Sequence, residues 1–278
     1  MAAAPATRTA RTRGRVAVPL VLLIAVVATL RAGPVPFAVL AGVLLALTFL
    51  ELRRLIGGAG SRASLVMGLV AVAAMTWMGA TGRPEHLPWG MAGLLLSLLA
   101  GRVVMLETGH RGVEGATADI ASTAAAVAVV GLTGAHVLLI RNSIGYEVTL
   151  LFVVVVAADA LVAAAASRVV GRHRLSARVS TSRTWEGAAF GFAAALAAGL
   201  LLARLVELPL STRGVVGMSA MLGLLAPVGD LASSAVQRSA GLEEDAGWLP
   251  GIGEVLNALD GALFAAPFFY WAVRTLVL

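Results

Sequence analysis

The sequence predicts an all-α integral membrane protein of about nine transmembrane helices with a cytoplasmic N-terminus, and three observations carry that expectation. Of 278 residues, 59% are hydrophobic and 13% charged, and the mean hydropathy is +0.91. Such a chain lacks the polar surface to cover a soluble globule. Apolar runs of about 20 residues, long enough to cross a hydrocarbon core as a helix, recur along its length. With the N-terminus inside, fifteen of the 21 basic residues fall on the inner side of the alternating loops, the sense of the positive-inside rule. The chain has no cysteine, which removes disulfides, thiolate nucleophiles and Cys-ligated zinc. Every basic residue is arginine, so a phosphate clamp here is built from guanidinium groups.

Taken in order, residues 1–15 are rich in Ala, Thr and Arg and read as a disordered basic tail touching anionic headgroups, ahead of one polytopic domain over 16–278. The first span, 16–30, is short and holds Pro19. Arg8, Arg11, Arg13 and Arg15 precede it as in a signal peptide, but no soluble domain follows, so it reads as an uncleaved anchor. Spans 35–51 and 63–80 are divided by Gly57-Gly58-Ala59-Gly60, which has no strand before it and no Lys-Ser/Thr after it, and so is no phosphate loop. Span 88–106 leads back to an inner loop with Arg111. Span 118–140 opens on Asp119, and span 146–168 contains Asp159 and the small residues Ala163 to Ala166. Span 187–206 carries Gly191 and an Ala-rich run to Gly199, which suits close helix packing. Span 214–235 holds Asp230 near its inner end, and span 257–278 begins with Asp260 close by.

An ionised carboxylate in a bilayer costs roughly 3 kcal/mol on insertion scales. Four acids, Asp119, Asp159, Asp230 and Asp260, therefore ask for a common reason such as a cation or a polar cavity. All four map to the inner half of their spans. A proton-relay transporter would spread ionisable groups through the full thickness, and no internal repeat is visible. The pattern favours a region, about 118–278, that meets a water-soluble substrate at the inner membrane surface. The arginines are dispersed over loops and form no basic face with interleaved aromatics, which argues against nucleic acid as a partner.

The loops beside the acids are more specific. Gly171-Arg172-His173-Arg174-Leu175 and then Ser180-Thr181-Ser182-Arg183-Thr184-Trp185-Glu186-Gly187 stand between the sixth and seventh spans. Between the eighth and ninth come Gly229-Asp230-Leu231, Gln237-Arg238, Gly241 to Asp245, Pro250-Gly251-Ile252-Gly253-Glu254, Asn257 and Asp260. This order and spacing, over about the last 120 residues, resembles the phosphatidate cytidylyltransferases, or CDP-diacylglycerol synthases. The family pattern is Ser-Pro-x-Lys-Thr-Trp-Glu-Gly, then Gly-Asp-Leu, Lys-Arg, Gly-x-Lys-Asp, Pro-Gly-His-Gly-Gly and Asp-Arg-x-Asp. The chain departs from it at Thr181, Arg183, Gln237, Glu243, Ile252, Glu254, Asn257 and Ala258, so the acidic frame persists while much of the basic frame is replaced.

The resemblance implies a membrane enzyme that transfers CMP from CTP to phosphatidate, giving CDP-diacylglycerol and pyrophosphate in phospholipid biosynthesis at the cytoplasmic membrane. It implies Asp230, Asp260 and Arg238 as catalytic residues and Ser180, Arg183, Thr184, Glu186, Gly251 and Gly253 as substrate-binding ones; Asp159 is added to the latter for its place in the inward half of the sixth span. Asp230, Asp260 and Asn257 would hold Mg²⁺, with room for a second cation, and the assembly would be a homodimer. Positioning and charge neutralisation suffice for such a transfer, with no covalent intermediate. Blander roles stay open for single residues. Asp159 could pair with Arg168, Asp119 could favour the positive end of its helix, Trp185 could be an interfacial anchor and Glu186 helix-start chemistry. None of His86, His110, His136 and His173 is assigned to catalysis. Two other readings also stay open: a paralogue that is inactive or acts on another lipid phosphate, and a transporter or scaffold.

Overall fold

A computed structural model describes residues 8–57, 62–107, 116–176, 179–239 and 254–276 of the chain. The described residues are 89% helical, as an all-α membrane protein should be. The helices are α1 (Arg8–Ala32), α2 (Pro34–Gly57), α3 (Arg62–Ala80), α4 (His86–Glu107), α5 (Ala116–Val127), α6 (Thr133–Leu139), α7 (Tyr146–Val169), α8 (Trp185–Leu205), α9 (Thr212–Ser239) and α10 (Glu254–Leu276). Among the described residues, six helical stretches are long and apolar enough to cross a membrane: Pro34–Ile56, Ala118–Ile144, Tyr146–Val169, Trp185–Leu205, Thr212–Ser239 and Val255–Leu276. Leu20–Ala32, Ser64–Ala80 and His86–Gly101 are shorter apolar helices.

The punctuation follows backbone chemistry. Gly33, at φ 129°, ends α1 and Pro34 opens α2, the asymmetry expected of a C-terminal glycine and a first-turn proline. Helix starts at Arg8, so the second half of the expected tail 1–15 is helical; Ala and Arg are good helix formers. The expected span 118–140 is one rod from α5 to α6, extended to Ile144, with π-helical turns at Ala128–Leu132 and Ile140–Ile144. The reading also missed two strands. β1 (Arg174–Ser176) and β2 (Ser180–Thr184) pair antiparallel between α7 and α8.

Lipid supplies no hydrophobic drive to bring helices together, so small residues and close packing carry the bundle. Gly187, Gly191, Ala195 and Gly199 form a buried stripe at four-residue spacing on α8, a helix whose other faces are largely open. A Cβ on Gly191 would lie 2.8 Å from Ala163 Cβ on α7, and one on Gly199 would collide with Ser219 Oγ on α9. The core divides into two clusters and α10 belongs to both. Its Phe269 and Tyr270 pack with Phe152, Leu138 and Leu222, while its Leu256 and Leu263 pack with Phe49, Val72 and Val127. Asp260 lies on this shared helix.

Candidate active site

The loop after α7 is fixed at several points. A Cβ on Gly171 would lie 2.7 Å from Thr184 Cγ2 and collide with the Ser167 carbonyl oxygen, so only glycine lets the chain turn here. Thr184 caps α8, accepting from the Gly187 N–H at 3.1 Å, and its own hydroxyl donates to Ser167 Oγ at 3.1 Å. The start of α8 is thereby tied to the end of α7. Ser180 is fully buried and accepts from the Arg183 N–H at 3.3 Å. Glu186 accepts from the N–H groups of Arg172 and His173 at 3.1 and 3.2 Å and meets His173 Nδ1 at 2.6 Å. Trp185 N–H donates to the His173 carbonyl at 2.9 Å. Ser180, Thr184 and Glu186, expected beside the substrate, thus have these bonds engaged in shaping the hairpin that presents Arg183.

Arg183 Nη2 lies 2.6 Å from Asp230 Oδ2, which joins the hairpin to α9. Asp230 is the charged neighbour of both Asp159 on α7 and Asp260 on α10, and Arg183 acts on both as well. The glycine before Asp230 explains how α10 comes so near. A Cβ on Gly229 would lie 2.7 Å from the Asp260 carbonyl oxygen and 2.7 Å from Phe264 Cβ, and one on Gly261 would lie 3.3 Å from Asp230 Oδ1. Ser233, one turn after Asp230, donates its hydroxyl to Asp260 Oδ2, and the Gly261 N–H donates to Asp260 Oδ1 at 2.7 Å. Asp159 is 1% exposed, and its Oδ1 has no hydrogen-bond partner among the described residues.

Asp159 and Asp260 therefore flank the Arg183–Asp230 pair, which lines a narrow cleft together with Ser167, Thr184 and Pro227. The grouping of three carboxyl side chains and the unpartnered Asp159 oxygen suit a divalent cation. Among the described residues, no three acidic or imidazole side chains form a metal cage. The fit is to a cation taking one or two carboxylates and completing its shell with water and substrate phosphates, as Mg²⁺ does.

Asn257 Oδ1 accepts from Gln237 Nε2 at 2.6 Å, which uses one of its lone pairs and ties α9 to α10. Arg238 is half-buried in the last turn of α9, two turns beyond Asp230. Gly251 and Gly253 lie outside the described residues, as do Glu243 and Ile252. Asp119 does not join the other acids: it pairs with Arg53 at 3.5 Å and accepts from Ser64, because α5 packs on α2 and α3. The expected foursome is three plus one. Sequence reasoning missed Ser233, Ser167 and Glu51. Glu51 Oε2 on α2 accepts the Leu256 N–H at 2.9 Å, in the first turn of the helix that carries Asp260.

Fold and site together define an all-helical integral membrane protein with an acid–arginine centre where α7, α9, α10 and the hairpin meet. The profile of the cytidylyltransferase family matches residues 13–276, and the chain belongs to that family. It is 34% identical over 197 residues to a phosphatidate cytidylyltransferase of Brucella abortus, covering 70% of each chain. Phosphatidate cytidylyltransferases of Synechocystis and Bacillus subtilis are 33% and 30% identical over 109 and 101 residues, 38% and 36% of this chain and 36% and 38% of theirs.

Proposed function

We propose that the chain is a membrane cytidylyltransferase that uses CTP and phosphatidate. A phosphate oxygen of phosphatidate attacks the α-phosphorus of CTP, the bond from that phosphorus to the oxygen bridging to the β-phosphorus breaks, and CDP-diacylglycerol and pyrophosphate result. The observation that carries this reading is the 2.6 Å contact of Arg183 with Asp230. It joins the motif-bearing hairpin to the motif-bearing inner half of α9, beside Asp260. Arg183 neutralises phosphate charge and orients it through paired N–H donors, and Arg238 adds a second guanidinium further along α9. Asp230 and Asp260, with Asn257 as a neutral oxygen donor, would hold Mg²⁺. Bound there, Mg²⁺ supplies charge neutralisation as negative charge builds on the departing pyrophosphate. Asp159, buried beside Asp230, adds its Oδ1, unpartnered among the described residues, as a further oxygen at the same centre.

In this reading nine helices cross the cytoplasmic membrane with the N-terminus inside, and the hairpin and the start of α10 face the cytoplasm, where CTP is found. The arginine distribution supports that direction. Purified protein given CTP, phosphatidate and Mg²⁺ should release pyrophosphate in amounts equal to the CDP-diacylglycerol formed. Asp260→Asn should slow release at least ~100-fold, the scale on which removal of a transition-state electrostatic partner acts. Absence of release from wild-type protein across a panel of lipid phosphates and divalent cations would overturn the reading.

A further inference from the structure

The end of the bundle away from the acids carries a second pocket, of about 350 Å³, whose lining includes Arg83, Glu85, Ser143, Tyr270 and Arg274. Arg274 stands fourteen residues beyond Asp260 on α10, about 21 Å along the axis at 1.5 Å per residue, so this pocket and the acid centre are separate.

We propose that this pocket binds the phosphate of a membrane phospholipid headgroup in the leaflet opposite the acid centre. Three features carry the inference. Arg83 and Glu85 are exposed and have no ion-pair partner among the described residues, and with Arg274 they leave the rim one net positive charge, matched to a phosphodiester. Tyr270 is fully buried; Arg274 Nη1 donates to its oxygen at 2.7 Å, while the phenol proton has no acceptor among the described residues. A buried O–H that lines a pocket and lacks an acceptor is matched by an anionic oxygen. The guanidinium of Arg274 also lies 5.9 Å from the Tyr270 ring centroid and 5.6 Å from that of Trp271, which holds it in place for a ligand. The depth identifies the source of the phosphate. Trp77 near the end of α3, Trp89 near the start of α4 and Trp271 near the end of α10 are exposed at this same end, and exposed indoles mark the level of the headgroups.

The test is native mass spectrometry of the full chain in detergent with phosphatidylglycerol, diacylglycerol or inorganic phosphate. Wild type should retain one phosphatidylglycerol more than Arg83→Gln/Arg274→Gln. Tyr270→Phe, which keeps the packed ring, should weaken that binding about 3- to 10-fold, the worth of one hydrogen bond. Diacylglycerol should not occupy the site, and millimolar inorganic phosphate should not displace the lipid. Pyrophosphate release by the double variant should stay within about twofold of wild type. Equal lipid retention by the double variant, equal retention of diacylglycerol, or displacement by inorganic phosphate would each overturn the proposal.

Discussion

Arg183 is the side chain on which the buried acids depend. Its side chain is 25% exposed and that of Asp230 only 10%, so truncating the arginine would leave a carboxyl group with little water and two acidic neighbours. Breaking such a buried pair from one side costs about 3–5 kcal/mol. Arg183→Gln should therefore lower pyrophosphate release by at least ~100-fold, while Arg183→Lys, which keeps the charge but loses the planar fork, should retain activity within ~10-fold of wild type. Steady-state release with both substrates saturating checks this; equal rates for Gln and Lys would remove the charge from the argument. Arg183, Asp230 and Asp260 were legible from the chain because their neighbours form a spaced pattern. Ser233 was not, since a serine inside a helix signals nothing until α10 is laid against α9. Asp119 was misplaced for the converse reason: hydropathy fixes depth along the bilayer normal, and a carboxylate at the right depth can still face a different helix.

Helices meet at the site because glycines let them. On α8 the stripe from Gly187 to Gly199 is legible as spacing alone, whereas its partner surfaces on α7 and α9 are not. Gly191→Leu would drive its side chain against Asp159 Oδ1, 2.7 Å from an added Cβ, and against Ala163. Such overpacking costs about 1–3 kcal/mol, and the variant should melt several degrees lower and lose turnover together, as read by thermal unfolding in detergent and pyrophosphate release. The first turn of α10 depends on a different device. Glu51 Oε2 receives the Leu256 N–H, one of the donors a helix start leaves without an intrahelical partner. Glu51→Gln retains an acceptor oxygen and should be near neutral. Glu51→Leu strands that buried N–H and should cost about 1–3 kcal/mol, with reduced pyrophosphate release because Asp260 follows one turn later. Equal behaviour of the two variants would show that Glu51 only fills space. Nothing in the chain announces this contact, which spans 205 residues, and the hairpin was equally hidden. Its strands are short and polar, with no alternation of apolar residues to read.

At the scale of the whole molecule, the acids and the hairpin share one end of the bundle. Asp159 lies ten residues before the end of α7, Asp230 nine before the end of α9, and Asp260 six after the start of α10, so each is within about 15 Å of the same end at 1.5 Å per residue. The short strands Arg174–Ser176 and Ser180–Thr184 cover that end, and Trp185 is exposed beside them. The proposed orientation, with that end in the cytoplasm, rests on arginine counts, because translocation disfavours positively charged loops. The chain has no cysteine, so a single introduced thiol reports its side of the membrane without background. In intact cells, a membrane-impermeant maleimide should label Arg31→Cys and Glu207→Cys, both exposed at the far ends of α1 and α8. It should label Arg174→Cys in the hairpin and Ser239→Cys at the end of α9 only after permeabilisation. The reverse pattern would turn the acid centre outward, away from CTP. Arg31 and Glu207 labelling from opposite sides would mean that an odd number of crossings separates them, which is incompatible with nine spans in the order proposed.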